Sequence, residues 1–284
     1  MRLKTGFKSQ AVWDEFITYA LREDGAWMDR TSLGLKNNHK KVHATIFSRQ
    51  DLVIAGLEIA AQTFHHLTDG PIVWMTETRD GGRVKAGQPI ARFQTEAWVI
   101  LAAERTALNF LQRLSGIASL TRKYVDQIEG TKAKIVDTRK TTPCIRILEK
   151  FAVRCGGGIN HRFGLHDGCL IKDNHIRFAG SIKKAVESIR ENISHLWRIE
   201  VEVENLRQVE ECLSLDIDAV LLDNMSISAM EESVNMIQGS MLVEASGGIN
   251  LENVLEVAQT GVDLISVGAL THSAPAVDIS LELD

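Results

Sequence analysis

The chain has 284 residues, 44% hydrophobic and 24% charged, with 21 Gly and 4 Pro. That composition excludes disordered, collagen-like and coiled-coil classes and is enough for about two domains with buried cores. A formal net charge of −5 argues against general nucleic-acid binding, which needs a Lys/Arg surplus to neutralise phosphates.

At the N-terminus, MRLKTGFKSQ lacks the apolar stretch of a signal peptide. The longest apolar run, Ala97 to Ala103, is far short of the roughly 18 residues of a membrane span. A cytoplasmic protein with no membrane partner is expected. An N-terminal helix is followed by strand-like KVHATIFS, LVIAG, PIVWMTET and RVKAGQPIARFQTEAWVILAAE, punctuated by Asp69-Gly70 and Asp80-Gly81-Gly82. This pattern predicts a small α+β domain with a largely antiparallel sheet. A long helix from about Glu104 to Asp126, apolar at Ala107, Leu111, Leu114 and Ala118, leads onward.

From Lys132 the pattern changes to short aliphatic runs (AKIVDT, CLIK, WRIEVEV, DAVLL, MLVEA, DLISV) alternating with amphipathic helices, the signature of a parallel sheet. Thr142 and Pro143 read as N-cap and first residue of one helix, and Gly156-Gly157-Gly158 as its stop. All six runs end in charged residues or glycine, which favours a β/α barrel with its site at the strand C-termini over a doubly wound sheet. About 150 residues are too few for an eightfold barrel of about 250, so an incomplete one is expected. The predicted domains are 1–110 and 111–284, with the C-terminal tail free to pack back on the first. The four cysteines, Cys144, Cys155, Cys169 and Cys212, form no CxxC pair, so neither a disulfide framework nor a zinc knuckle is suggested.

The charge is uneven along this second half. Residues 105–177 carry 14 Lys+Arg against 6 Asp+Glu, whereas residues 200–284 carry 17 acids and one base, Arg207. Arg139, Lys140, His161, Arg162 and Lys172 cluster near the ends of the first two barrel strands. Arg offers a planar fork for carboxylates and Lys a point charge for phosphates, so the set suits a compact polyanion; surface salt bridges are the competing reading. Glu202 and Asp223 end the next two strands, placed to hold Mg²⁺ through water, bind ribose hydroxyls or face developing positive charge. ASGGIN (245–250) and VGALTHS (267–273) close the last two strands, where they cradle a phosphate or serve as tight turns. His161, His166 and His175 read as hydrogen-bonding side chains before metal ligands, because HRFGLH lacks helical ligand spacing.

Taken together, ERTALNFLQRLSGIA, DTRKTTP, KFAVRCGGGINHRFGL, LIKDNHI, VEVEN, LLDNM, EASGGIN and TGVDLISVGALTHS closely resemble the quinolinate phosphoribosyltransferase family (nicotinate-nucleotide pyrophosphorylase, carboxylating). The resemblance implies an α/β fold in which an N-terminal α+β sandwich domain joins an incomplete, seven-stranded α/β barrel. It implies transfer of phosphoribose from phosphoribosyl pyrophosphate to quinolinate with loss of CO₂, giving nicotinate mononucleotide in NAD biosynthesis, with Mg²⁺ as cofactor and a homodimer or higher homo-oligomer as the assembly. Carried over by motif, Arg139, His161, Arg162 and Lys172 would hold the quinolinate carboxylates with Thr138 nearby, and Arg105 would come from a neighbouring subunit. Lys140, Glu202 and Asp223 would serve ribose, pyrophosphate and Mg²⁺, with Lys172 among the catalytic groups. Ser246, Gly247, Gly248, Val267, Gly268, Ala269 and His272 would surround the 5-phosphate. Two family glycines are replaced by Ala26 and Met28 in EDGAWMDRT and a third by Cys144 after TTP, so the loop conformations there are open. The alternatives are a molybdenum-transport-associated paralogue with another acceptor and a non-catalytic ligand-binding descendant.

Overall fold

The structure, a computed structural model, describes residues 9–284, with side chains from Trp13 onward; the first eight residues of MRLKTGFKSQ lie outside the described residues. It divides into two compact units, one ending at Ser119 and including Ala274–Asp284, the other spanning Leu120–Ser273.

In the first unit, α1 (Ser9–Asp24), a single 3₁₀ turn (Ala26–Met28) and α2 (Arg30–Gly34) precede β1 (Lys41–Ser48), β2 (Leu52–Val53), α3 (Leu57–His65), β3 (Val73–Thr76), β4 (Arg83–Val84), β5 (Pro89–Glu96) and α4 (Ala97–Gln127), whose residues from Leu120 onward are counted with the second unit. The sheet is antiparallel: β5 pairs with both β1 and β3. Phe64 of α3 packs on Phe93 of β5, and Phe93 on Trp74 of β3, with ring centroids 4.6 and 4.8 Å apart, the spacing of favourable offset aromatic contacts. Helix α4 starts at Ala97, seven residues before the expected Glu104, because AWVILAA is a short apolar run that pattern alone assigns equally to strand or helix. Ala26 and Met28 sit in the 3₁₀ turn with ordinary backbone angles, so replacing the family glycines leaves no strain there.

The expected boundary at 110/111 moves to 119/120. The last strand of the chain (Ile279–Leu283) runs antiparallel to β1, and the approach to it is bonded to α4: Arg113 Nη1 donates to the Ala274 carbonyl at 2.7 Å and Gln112 Nε2 to that of Ile279 at 2.8 Å. Gly116 is part of the same contact, since a Cβ there would lie 2.1 Å from the Pro275 carbonyl oxygen.

The second unit contains β6 (Lys134–Val136), α5 (Arg146–Cys155), β7 (Cys169–Ile171), α6 (Asp173–Ala179), α7 (Ile182–Asn192), β8 (Ile199–Val203), α8 (Leu206–Cys212), β9 (Ala219–Asp223), α9 (Ile227–Ile237), β10 (Leu242–Ser246), α10 (Val254–Gln259), β11 (Leu264–Ser266) and α11 (Ala269–His272); the tail strand is therefore β12. Its parallel sheet runs β6-β11-β10-β9-β8-β7. The first strand of this unit, β6, pairs with its last, β11, and the others follow in sequence, so the sheet winds one way round as a barrel does and lacks the reversal of a doubly wound fold. Instead of the expected seven strands there are six and a single parallel bridge, Ile159 to Val136. The bridge is confined to one residue because the His161 N–H, which would continue the pairing, donates to the Asp137 carboxylate at 2.9 Å instead.

Helix α5 begins at Arg146 with Ile145 as N-cap, not at Thr142-Pro143. Cys144 interrupts the chain between them at φ 69°, a left-handed conformation that costs an L-residue roughly 1–2 kcal/mol. Thr142 instead gives its backbone N–H and hydroxyl to the buried Glu149 carboxylate, at 3.0 and 2.8 Å. Cys144→Gly is therefore expected to stabilise the protein by about 0.5–1 kcal/mol, the relief of the left-handed residue less the entropy of glycine in the unfolded chain. Denaturant melts of the two proteins check this.

Candidate functional site

The second unit builds its strand-end loops on a buried ion pair. Asp137, at the end of β6, and Lys150, on the inner face of α5, are both fully buried and joined Oδ1 to Nζ. Burial pushes both toward neutrality, Asp137 up and Lys150 down, and is opposed by their attraction and hydrogen bonds. Asn160 Nδ2 reaches Asp137 Oδ2 at 2.6 Å, the His161 amide reaches Oδ1 at 2.9 Å, and Lys150 Nζ also donates to the His161 carbonyl at 3.0 Å. The GINHR segment is thereby tied to β6 and α5.

On that platform stand two guanidinium groups. Arg162 is held by one bond, Nη1 to the Gly168 carbonyl at 2.9 Å, while its buried Nε has no partner among the described residues. Burial first, and then the nearby Arg139 charge, push its pKa down. Arg139 is exposed, and its side chain makes no hydrogen bond among the described residues. Two adjacent guanidiniums, one with an unanswered buried donor, fit an anionic ligand with fork-shaped acceptors. The third cation, Lys172, closes β7 and pairs with Glu202 Oε2 of β8. His161 is arranged differently from an open cation. Its Nε2 lies 2.9 Å from Glu200 Oε2, and its Nδ1 accepts the Arg162 amide at 2.7 Å. His175 Nδ1 accepts the Lys172 amide at 2.9 Å.

The glycine turns sit at the ends of β10 and β11, beside the Asp223-Asn224 turn that ends β9. Asn224, at φ 53°, donates its amide to the Ser246 carbonyl and its Nδ2 to Asp223 Oδ2, both at 2.9 Å. Gly247 faces Asn224, where a Cβ would come 2.2 Å from Oδ1, so the second strand-end carboxylate is oriented through a turn that tolerates only glycine. After Val267, Gly268 precedes the four-residue α11 from Ala269 to His272. A Cβ on Gly268 would meet His272 Nε2 and Lys140 Cδ, each at 3.1 Å, and Thr271 Oγ1 donates to the Lys140 carbonyl at 2.7 Å. Lys140 is also fixed by the hydrogen bond that its backbone N–H donates to Thr138 Oγ1 at 3.0 Å. Residues from DTRKTTP and VGALTHS therefore meet, a cation over a glycine turn. Gly248 adopts φ 64° with open space at its Cβ position. Arg105 belongs to the first unit, on the exposed face of α4.

Five residues of this arrangement escaped the sequence reading: Asp137, Lys150, Asn160, Glu200 and Glu244. Glu200 was accessible, because it shares the i, i+2 face of β8 with Glu202. Glu244, an acid inside the apolar run MLVEA, is 1% exposed and could have been flagged as a buried polar residue. The Asp137–Lys150 pairing joins two elements and leaves no periodic trace.

The quinolinate phosphoribosyl transferase C-terminal domain family matches residues 117–282, and the corresponding N-terminal domain family matches residues 29–115. The chain is 41% identical over 273 residues to a nicotinate-nucleotide pyrophosphorylase (carboxylating) from Mycobacterium leprae, covering 94% of this chain and 95% of that one. It is 39% identical over 275 residues to a probable enzyme of the same name from Synechocystis, covering 96% and 92%. The solved nicotinate-nucleotide pyrophosphorylase from Francisella tularensis superposes with a TM-score of 0.92 at 38% identity, covering 97% of each chain.

Proposed function

Because the chain belongs to the quinolinate phosphoribosyltransferase family, we propose that its strand-end residues carry out that family's reaction in the roles that follow. The activity is that of a decarboxylating phosphoribosyltransferase: quinolinate and phosphoribosyl pyrophosphate give nicotinate mononucleotide, pyrophosphate and CO₂ in NAD biosynthesis. The observation that supports the site assignment best is the unanswered Nε of Arg162 beside Arg139, a match for a dicarboxylate.

Arg139 and Arg162 grip the carboxylates of quinolinate, with Thr138 alongside, Lys172 at the edge and His161 supporting Arg162 from behind. Lys140, resting on Gly268 and His272, faces the phosphates. Ser246, Gly247, Gly248, Val267 and Ala269 complete the cradle of the 5-phosphate. With both substrates aligned, the pyridine nitrogen attacks the anomeric carbon as pyrophosphate departs, and the carboxylates of Glu202 and Asp223 stabilise the cation-like ribosyl centre. Hard oxygen donors at two neighbouring strand ends fit Mg²⁺, so Glu202 and Asp223 would hold it through water; when bound, the ion neutralises charge on the leaving pyrophosphate. The ribosylated nitrogen is positively charged and stabilises the carbanion formed when the adjacent carboxylate leaves, so decarboxylation needs no further cofactor.

The assembly is a homodimer or a higher homo-oligomer in which Arg105 is contributed across the interface, and the protein works in the cytoplasm. Among the described residues no helix is long and apolar enough to cross a membrane. Incubating the purified protein with phosphoribosyl pyrophosphate, Mg²⁺ and either quinolinate or nicotinate tests the acceptor: nicotinate mononucleotide is expected from quinolinate alone. Turnover with nicotinate but not quinolinate would overturn the reading.

A further inference from the structure

The most unusual group in the second unit is Glu244. It sits in the middle of β10, 1% exposed, with Oε1 lacking any hydrogen-bond partner among the described residues. Its position on the strand is fixed by pairing with Leu221 of β9 and Leu264 of β11, so it cannot swing out to water. The charged and titratable groups around it are Glu200 of β8, His161 after the Ile159 bridge, and Asp137 just past β6 with its partner Lys150; the Ser266 hydroxyl of β11, also near it, gives its own hydrogen bond to the Ala245 carbonyl at 3.4 Å. His161 Nε2, Glu200 and Glu244 each bring one polar atom within 4.8 Å of the others.

Such a trio could hold a cation or share protons, and the histidine decides between them. Its Nδ1 accepts the Arg162 amide at 2.7 Å. A backbone N–H only donates, so Nδ1 carries the lone pair and the single ring proton is on Nε2. A metal would need the Nε2 lone pair, which this tautomer does not offer. Glu200 and Glu244 draw the His161 pKa up against its burial, yet a second ring proton would set N–H against N–H at Arg162, so the ring stays neutral in this arrangement. The Nε2–H is given to Glu200 at 2.9 Å, whereas Glu244 Oε1 stands 3.8 Å away, beyond a hydrogen bond. A partly buried carboxyl, Glu200, and a fully buried one, Glu244, thus share the single histidine donor, and the deeper one without it holds a proton in place of a charge.

We propose that Glu244 is a positioning residue of the acceptor pocket: in its protonated form it leaves Glu200 alone to bind His161 Nε2–H, so that His161 Nδ1 anchors the Arg162 backbone over a floor bearing one negative charge and not two. This rests on the assignment of Arg162 to the quinolinate carboxylates. Burial, reinforced by Glu200, pushes the Glu244 carboxyl up to about 8. Below that pH it is neutral, and above it a second buried negative charge lies beneath the cations and competes for the His161 proton, so acceptor affinity is lost as pH rises through this value.

Two measurements test it. Steady-state kinetics of the whole enzyme between about pH 7 and pH 9 should show the KM for quinolinate rising about tenfold while that for phosphoribosyl pyrophosphate moves less than about threefold, the size of an added buried charge several ångströms from the ligand. In Glu244→Gln, which keeps the shape and cannot ionise, the alkaline rise should disappear. A rise that persists in Glu244→Gln, or that affects both substrates equally, overturns the proposal. Independently of turnover, NMR of the unliganded wild-type protein with ¹³C-labelled Glu and ¹⁵N-labelled His should show a glutamate carboxyl titrating near pH 8, absent from Glu244→Gln, and His161 as the Nε2–H tautomer. A Glu244 carboxyl already ionised at pH 6, or a proton on Nδ1, refutes it. If wild type fails to use quinolinate at all, the acceptor assignment falls, and with it the proposed role of Glu244 in that pocket, whatever the NMR shows of its protonation.

Discussion

Alanine in place of Arg162 is expected to raise the KM for quinolinate about 100-fold, with a change of no more than a few-fold in the KM for phosphoribosyl pyrophosphate. Charge-assisted bonds are worth roughly 1.5–3 kcal/mol each, and a loss of about 2.7 kcal/mol is two powers of ten. Arg162 spends one guanidinium bond on the Gly168 carbonyl, which leaves the rest of its fork for the carboxylate of a ligand. Lys140→Ala should show the reverse pattern, weakening phosphoribosyl pyrophosphate and sparing quinolinate, because Lys140 lies against Gly268 and His272. Initial-rate kinetics with each substrate varied in turn separate the two cases. Equal shifts in both KM values for both variants would contradict the assignment.

The second large effect concerns stability. Lys150→Met removes the partner of Asp137 inside the second unit, where both groups are fully buried. Breaking a buried pair from one side leaves an uncompensated charge and typically costs about 3–5 kcal/mol. Denaturant unfolding should register that loss, and the double variant Lys150→Met with Asp137→Asn should recover most of it because no isolated charge remains. Activity should fall in the single variant as well, since Lys150 and Asp137 fix the carbonyl and amide of His161. A loss below about 1 kcal/mol would mean that the pair is neutral or reached by water.

Much of this architecture is visible in the sequence. Each of the six aliphatic runs from AKIVDT to DLISV contains a strand of the parallel sheet, because strands covered by helices keep β-branched and aliphatic residues in short bounded runs. The glycines of EASGGIN and the charged strand ends are equally readable, since turn chemistry and burial act locally. What was hidden depends on contacts between distant elements. The start of α5 was misplaced because a cysteine occupies a left-handed position that normally signals itself through glycine. The extent of the first unit was underestimated because Gly116 and Arg113 are tied to residues near 275. His161, which the sequence groups with the cations as a hydrogen-bonding side chain, has partners no local pattern reveals: Glu200 at Nε2 and the Arg162 amide at Nδ1. The acidic C-terminal third likewise contains the strand residues Glu202, Asp223, the partly buried Glu200 and the buried Glu244, while its other acids lie mostly on exposed helix faces and turns.

A decarboxylating phosphoribosyltransferase couples ribosylation of its pyridine dicarboxylate to loss of the adjacent carboxylate. Quinolinate labelled with ¹⁴C in the 2-carboxyl group tests this directly. With phosphoribosyl pyrophosphate and Mg²⁺ present, labelled CO₂ and nicotinate mononucleotide should appear in equal amounts, and with phosphoribosyl pyrophosphate omitted no label should be released. Labelled CO₂ without the ribosyl donor, or a ribosylated product that retains both carboxylates, would contradict the account.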